Sequence, residues 1–138
     1  MDPKSLQMLY SADRLNFTKF DVPGLSELLD VLIVDRYMTS GMVYGRVDGL
    51  CPDDLLVFDR ETKKPNLNII LTARPEILMK RMSTKEKDKY ENIETQTKAL
   101  EYYKTLHIYF PKTVYINAEN GADQVLQDTI IAINTLDV

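Results

Sequence analysis

The chain has 138 residues, 44% apolar and 28% charged, which fits one globular domain with a packed core and excludes disordered and fibrous classes. Its net charge of −4 argues against bulk attachment to nucleic acid or to anionic lipid, while leaving room for a local basic pocket. Cys51 is the single cysteine, so no internal disulfide can form, and with no secretory leader pattern or membrane-length apolar run the expectation is a cytoplasmic protein with no membrane partner.

In chain order, Asp2-Pro3 is a capping carboxylate followed by a first-turn proline, and opens a helix expected over roughly 3–16. Leu9, Ala12 and Leu15 can face a core, while Leu6, Tyr10 and Arg14 share another face. Val22-Pro23-Gly24 breaks the pattern, and a short helix over 25–28 leads to Leu32-Ile33-Val34, which reads as a buried parallel strand over 31–35. A loop and short helix follow over 38–45, then a turn at Val47-Asp48-Gly49 and a helix from Pro52 toward Phe58. A second buried strand is expected over 67–71 and a helix from Pro75 to Arg81. The stretch 83–89 has no apolar residue and reads as exposed. A long helix is expected over 89–106, a third strand over 114–116, and a last helix over 121–134 burying Val125, Leu126, Thr129, Ile130 and Ile133. Alternating strands and helices predict an α/β fold in one domain, residues 1–138, with a parallel sheet covered on both faces.

The chemistry-bearing residues gather at the end of the first expected strand. Asp35-Arg36-Tyr37 and Ser40-Gly41 would lie at its carboxyl end, where open α/β sheets bind ligands. A carboxylate there can hold Mg²⁺ directly or through water, or it can simply cap a helix. A guanidinium there fits phosphate oxygens, or it can form a surface ion pair. Ser40-Gly41 offers a hydroxyl and a close backbone approach, or only a helix start. Tyr10 and Arg14, one turn apart, could stack on a base and bond its edge. Taken singly, Tyr10 belongs in a core and Arg14 in solvent. Lys80, Arg81, Lys85, Lys87 and Lys89 outnumber Glu86 and Asp88, so the segment is either a phosphate-covering lid or an ordinary charged connection. His107 and Cys51 show no partners for metal or nucleophilic chemistry and read as structural. No Gly-x-x-x-x-Gly-Lys-Ser/Thr loop occurs in the chain, although phosphoryl chemistry on this kind of fold normally uses one.

The order of these motifs resembles one family. Leu9-Tyr10-Ser11-Ala12-Asp13-Arg14 is similar to the Leu-Phe-Ser-Ala-Asn-Arg segment of thymidylate kinases. The run from Asp35 to Tyr44 resembles their Asp-Arg-Tyr-x-x-Ser-Gly-x-Ala-[Phe/Tyr] motif. Lys89-Tyr90-Glu91-Asn92 with Gln96 is similar to the pattern after their lid, and Ile116-Asn117-Ala118 to their Ile-Asp-Ala near the adenine. The resemblance implies a nucleoside-monophosphate kinase that moves the ATP γ-phosphoryl onto dTMP with Mg²⁺. It implies that Arg36 binds the dTMP phosphate and that Asp35 acts on Mg²⁺ through water, as the catalytic pair. Tyr10 would stack on thymine and Arg14 contact its edge, while Ser40, Gly41 and Tyr44 line the monophosphate and sugar pocket. Tyr90 would pack on the deoxyribose with Gln96 nearby, Lys80 and Arg81 would flank the lid, and Asn117 and Ala118 would meet the adenine. A homodimer is also implied.

The chain departs from the family at Asp13, where asparagine is usual, and at Asn117, where aspartate is usual. No arginine stands between Met82 and Lys89, which resembles members whose catalytic arginine lies in the phosphate loop. The family opens with a strand, that loop and its helix, all of which would precede Met1. The expectation is therefore a three-layer P-loop-kinase-like sheet left incomplete, with Met1 an internal methionine or the gene decayed. Little activity is expected of the chain by itself, because phosphoryl transfer depends on positioning and charge neutralisation. A non-catalytic dTMP-binding remnant or regulatory partner, and a related deoxynucleoside kinase, remain as alternatives.

Overall fold

A computed structural model describes residues 1–82 and 92–136, which form two compact units, Met1–Lys64 and Pro65–Val138. Among the described residues no helix is long and apolar enough to cross a membrane.

The first unit is helical. In α1 (Pro3–Phe20) the Asp2 carboxylate accepts from the backbone N–H of Lys4 and Ser5, at 3.0 and 3.1 Å, and so satisfies two of the first-turn donors. Asp21 then ends α1 and begins α2 (Val22–Leu28), because Pro23 has no N–H to extend the α1 ladder. After an irregular stretch, α3 (Met38–Val47) and α4 (Pro52–Phe58) are joined through Gly49, whose φ of +90° suits glycine. Gly45 lets α3 close on α4: a Cβ there would stand 2.6 Å from a Leu55 methyl.

Two expectations fail in this unit. Residues 31–34 form no strand; they are exposed, Ile33 by 78%. A strand exists only with a ladder partner, and the other regular elements of the unit are helices, which satisfy their own backbones. The buried stripe of α1 is also not the one expected from apolar periodicity. Leu9 is 55% exposed, whereas Gln7 and Ser11 are buried on the face that also carries Arg14.

The second unit is a small three-layer α/β arrangement. Strands β1 (Asn68–Thr72) and β2 (Thr113–Asn117) pair in parallel, with Asn68 opposite Thr113 and Thr72 opposite Asn117. A parallel pair needs a crossover, and here it carries α5 (Pro75–Arg81) and α6 (Ile93–Lys104). The Asn92 side chain caps α6 by accepting from the Thr95 N–H at 2.9 Å. The Tyr115 hydroxyl donates to the Tyr103 carbonyl at 2.9 Å and so ties one sheet face to the end of α6. The other face, with Val114 and Ile116, is covered by α7 (Ala122–Asn134) through Ala132. The sheet thus has two strands among the described residues, not the three expected. On α7 the expected buried pair Leu126 and Ile130 is exposed, since a two-stranded sheet is too narrow to cover the whole apolar stripe. Leu106, in the turn after α6, is fully buried and anchors this core with Phe110 and Ile70.

Candidate functional site

In the first unit the structure joins two sequence motifs that are distant in the chain. A Cβ placed on Gly41 of α3 would lie 3.1 and 3.4 Å from the Arg14 Nη2 and Nη1 atoms and 3.4 Å from Gln7 Oε1. Glycine at this point allows α3 to approach the polar stripe of α1.

Arg14 is the centre of that stripe. Its Nε donates to Asp59 Oδ1 at 3.0 Å, and its Nη2 donates to Asp59 Oδ2 at 2.9 Å and to Ser11 Oγ at 2.8 Å. The side chains of the pair are only 11% and 8% exposed. A planar fork meeting a carboxylate at two points is the geometry in which a guanidinium is most firmly fixed. The single-residue expectations are therefore reversed. Arg14 is enclosed, and Tyr10, one turn earlier, is 51% exposed.

The second motif surrounds the start of α3. Asp35 lies in an exposed bend, and Arg36 adopts φ of 58°, a left-handed conformation that costs a non-glycine residue about 1–2 kcal/mol. Its guanidinium carbon sits 5.7 Å from the centre of the Tyr44 ring, a cation–π distance. No side chain caps the first turn of α3, which begins just after Arg36, and an uncapped helix start favours anions. Ser40 is half-buried in that first turn. In the same motif, the Tyr37 hydroxyl donates to the Lys63 carbonyl at 2.8 Å. Burial, and after it the negative Asp59, pushes its phenol up to about 12.

In the second unit, Arg81 at the end of α5 donates from Nη1 to the Ala118 carbonyl at 2.6 Å. The structure thus links an expected lid-flanking residue to one of the two residues expected at the adenine. Asn117 Oδ1 accepts from the Glu119 N–H at 3.0 Å, forming a tight turn at the end of β2. Arg74 meets the Glu119 carboxylate at 2.8 Å, and the hydrogen bonds from that guanidinium hold the carboxyl down to about 2. A cleft of about 430 Å³ lies here, lined in part by Thr72, Arg74, Lys104, Tyr115 and Asn117. It stands at the carboxyl ends of both strands, where open parallel sheets take ligands. Lys80 lies in the last turn of α5, and Gln96 is half-buried on α6. Tyr90 lies outside the described residues.

Sequence reasoning missed Asp59 altogether. It sits 45 residues from its partner, and no spacing rule joins them. Ser11 and Gln7 carried a signal that went unused, since residues three and seven before Arg14 lie on its face of a helix.

Residues 1–129 match the family described as thymidylate kinase. The chain is 31% identical to the probable thymidylate kinase of Sulfolobus acidocaldarius over 93% of its own length and 66% of that protein's. It is 33% identical to the thymidylate kinase of Caldicellulosiruptor saccharolyticus, covering 99% of this chain and 69% of that one. Against a probable thymidylate kinase of Methanococcus maripaludis, identity is 30% over 85% of this chain and 53% of the relative. The chain thus spans between about half and two thirds of the length of these relatives. By this match over most of its residues, the chain belongs to the thymidylate kinase family.

Proposed function

We propose that the first unit is the acceptor site for dTMP in the transfer of the ATP γ-phosphoryl to give dTDP. The observation that carries this reading is the close approach of Gly41 to Arg14, which unites the base-reading and phosphate-reading motifs in one place. In this reading Arg14 donates to the thymine edge and the exposed Tyr10 ring stacks on the base. Arg36, held over Tyr44 beside the uncapped start of α3, binds the monophosphate. Ser40 and Tyr44 line the sugar and phosphate.

Phosphoryl transfer needs a fixed acceptor oxygen and cancelled charge more than covalent help from the protein. Arg36 supplies both to the dTMP phosphate, holding its oxygens in place and offsetting their charge. Mg²⁺, when bound, neutralises charge on the transferring phosphates. Among the described residues no cluster of three or more metal-ligating side chains exists. Asp35, an exposed carboxylate, would hold Mg²⁺ through water. For the donor, the cleft beside Asn117 and Ala118 suits a purine, and Arg81 holds the Ala118 carbonyl. A cytoplasmic homodimer that binds no nucleic acid accords with the family resemblance and the net charge of −4.

The test is incubation with ATP, Mg²⁺ and dTMP, with dTDP separated by ion exchange. Formation of dTDP that is lost in Arg36→Ala supports the kinase reading. Binding of dTMP without dTDP would move the chain to a non-catalytic dTMP-binding role. Preference for thymidine over dTMP would replace it with a deoxynucleoside kinase.

A further inference from the structure

We infer that Asp59 is a positioning residue that makes Arg14 selective for a carbonyl on the pyrimidine edge. The inference rests on the proposed dTMP site. A guanidinium has five N–H donors. Asp59 takes one from Nε and one from Nη2, and Ser11 takes the other from Nη2. Among the described residues no hydrogen bond uses Nη1, which would lie 3.4 Å from a Cβ on Gly41, beside Nη2 at 3.1 Å. The group is therefore rotationally fixed and presents one nitrogen. Its charge is also offset at about 3 Å by a carboxylate almost as buried as itself.

Such a group differs in kind from a free arginine. A mobile cation prefers a phosphate or carboxylate, whereas a neutralised and oriented N–H prefers a neutral carbonyl. Thymine presents a carbonyl at position 4, where cytosine presents an amino group with its own donors. Donor against donor leaves both groups without partners, and a buried site built for one hydrogen-bonding pattern rejects the other strongly. Arg36 offers the contrast within the same unit. It is exposed and lies over the face of Tyr44, which suits the anionic end of the ligand.

The experiment is calorimetric titration of the chain with dTMP and with dCMP, for wild type, Asp59→Asn, Ser11→Ala, Arg14→Ala and the double variant Arg14→Ala/Asp59→Asn. Asp59→Asn is expected to weaken dTMP about tenfold, the scale on which a misplaced group is felt. It should leave dCMP nearly unchanged, so the dTMP to dCMP ratio falls by the same factor. Ser11→Ala removes one hydrogen bond and is expected to lower that ratio about threefold. Once Arg14 is gone, Asp59→Asn is expected to alter the ratio no further, which separates positioning through Arg14 from general support of the fold. If Asp59→Asn or the Arg14 variants do not fold, Ser11→Ala decides. An unchanged ratio in the folded variants overturns the inference. Tighter dTMP binding by Asp59→Asn also overturns it, because Asp59 would then be withholding Arg14. Failure of the wild-type chain to bind dTMP removes the acceptor reading itself, and this inference with it.

Discussion

Replacing Arg14 with methionine isolates what the buried pair does for the fold. Methionine fills a similar length with apolar atoms, but it leaves the Asp59 carboxylate, whose side chain is 8% exposed, without its cation. Breaking a buried pair from one side costs about 3–5 kcal/mol, chiefly because a desolvated charge is stranded. The lost bond to Ser11 at 2.8 Å adds about 1 kcal/mol. A typical domain has about 5–15 kcal/mol in total, so Arg14→Met is expected to destabilise severely. In urea unfolding followed by circular dichroism, with a slope of about 2 kcal/mol/M, the midpoint should fall by roughly 2 M. The double variant Arg14→Met/Asp59→Leu removes both charges and is expected to recover most of that loss, since apolar replacement of a buried pair is often neutral. A loss below about 1 kcal/mol in the single variant would place the pair among exposed ones and refute the reasoning. So would a double variant as unstable as the single one.

Leu106→Ala, at a fully buried position, is expected to cost about 2–5 kcal/mol in the same measurement, and a cost under 1 kcal/mol would mean that Leu106 does not anchor the second unit. Tyr37 is held up to about 12 by burial, against about 10 in an unfolded chain, so its contribution is full below pH 10 and is lost as pH rises toward 12. Urea midpoints across that window should therefore fall less steeply in Tyr37→Phe than in wild type, and parallel slopes would contradict this. Glu119 is held near 2, below the ordinary 4.5, so its pairing with Arg74 persists above the ordinary value and is lost as pH falls toward 2. A carbon-13 titration of its carboxyl should show a midpoint near 2 that moves up in Arg74→Met, and an unmoved midpoint would assign the shift to another cause.

The elements marked by local chemistry were legible in the sequence. Proline and a capping side chain opened α1, and Pro52 and Pro75 opened α4 and α5, close to where the structure places them. Both strands of the sheet also appeared within one or two residues of their expected bounds. What failed depends on partners that periodicity does not supply. Val31, Leu32, Ile33 and Val34 have the composition of a buried strand, yet they are exposed and unladdered. Apolar spacing put Leu9 in the core, and the Arg14–Asp59 pair turned a different face inward. The proposed site was half legible. Tyr10, Arg14, Arg36 and Gly41 announced themselves by order and type, whereas Asp59 could be found only from the fold.

The most direct measurement of the central claim is calorimetric titration of the chain with dTMP beside thymidine. The account predicts that dTMP binds at one site and that thymidine binds at least tenfold more weakly, because it lacks the phosphate that Arg36 and the start of α3 would hold. Equal binding of the two, or no binding of dTMP, would contradict it.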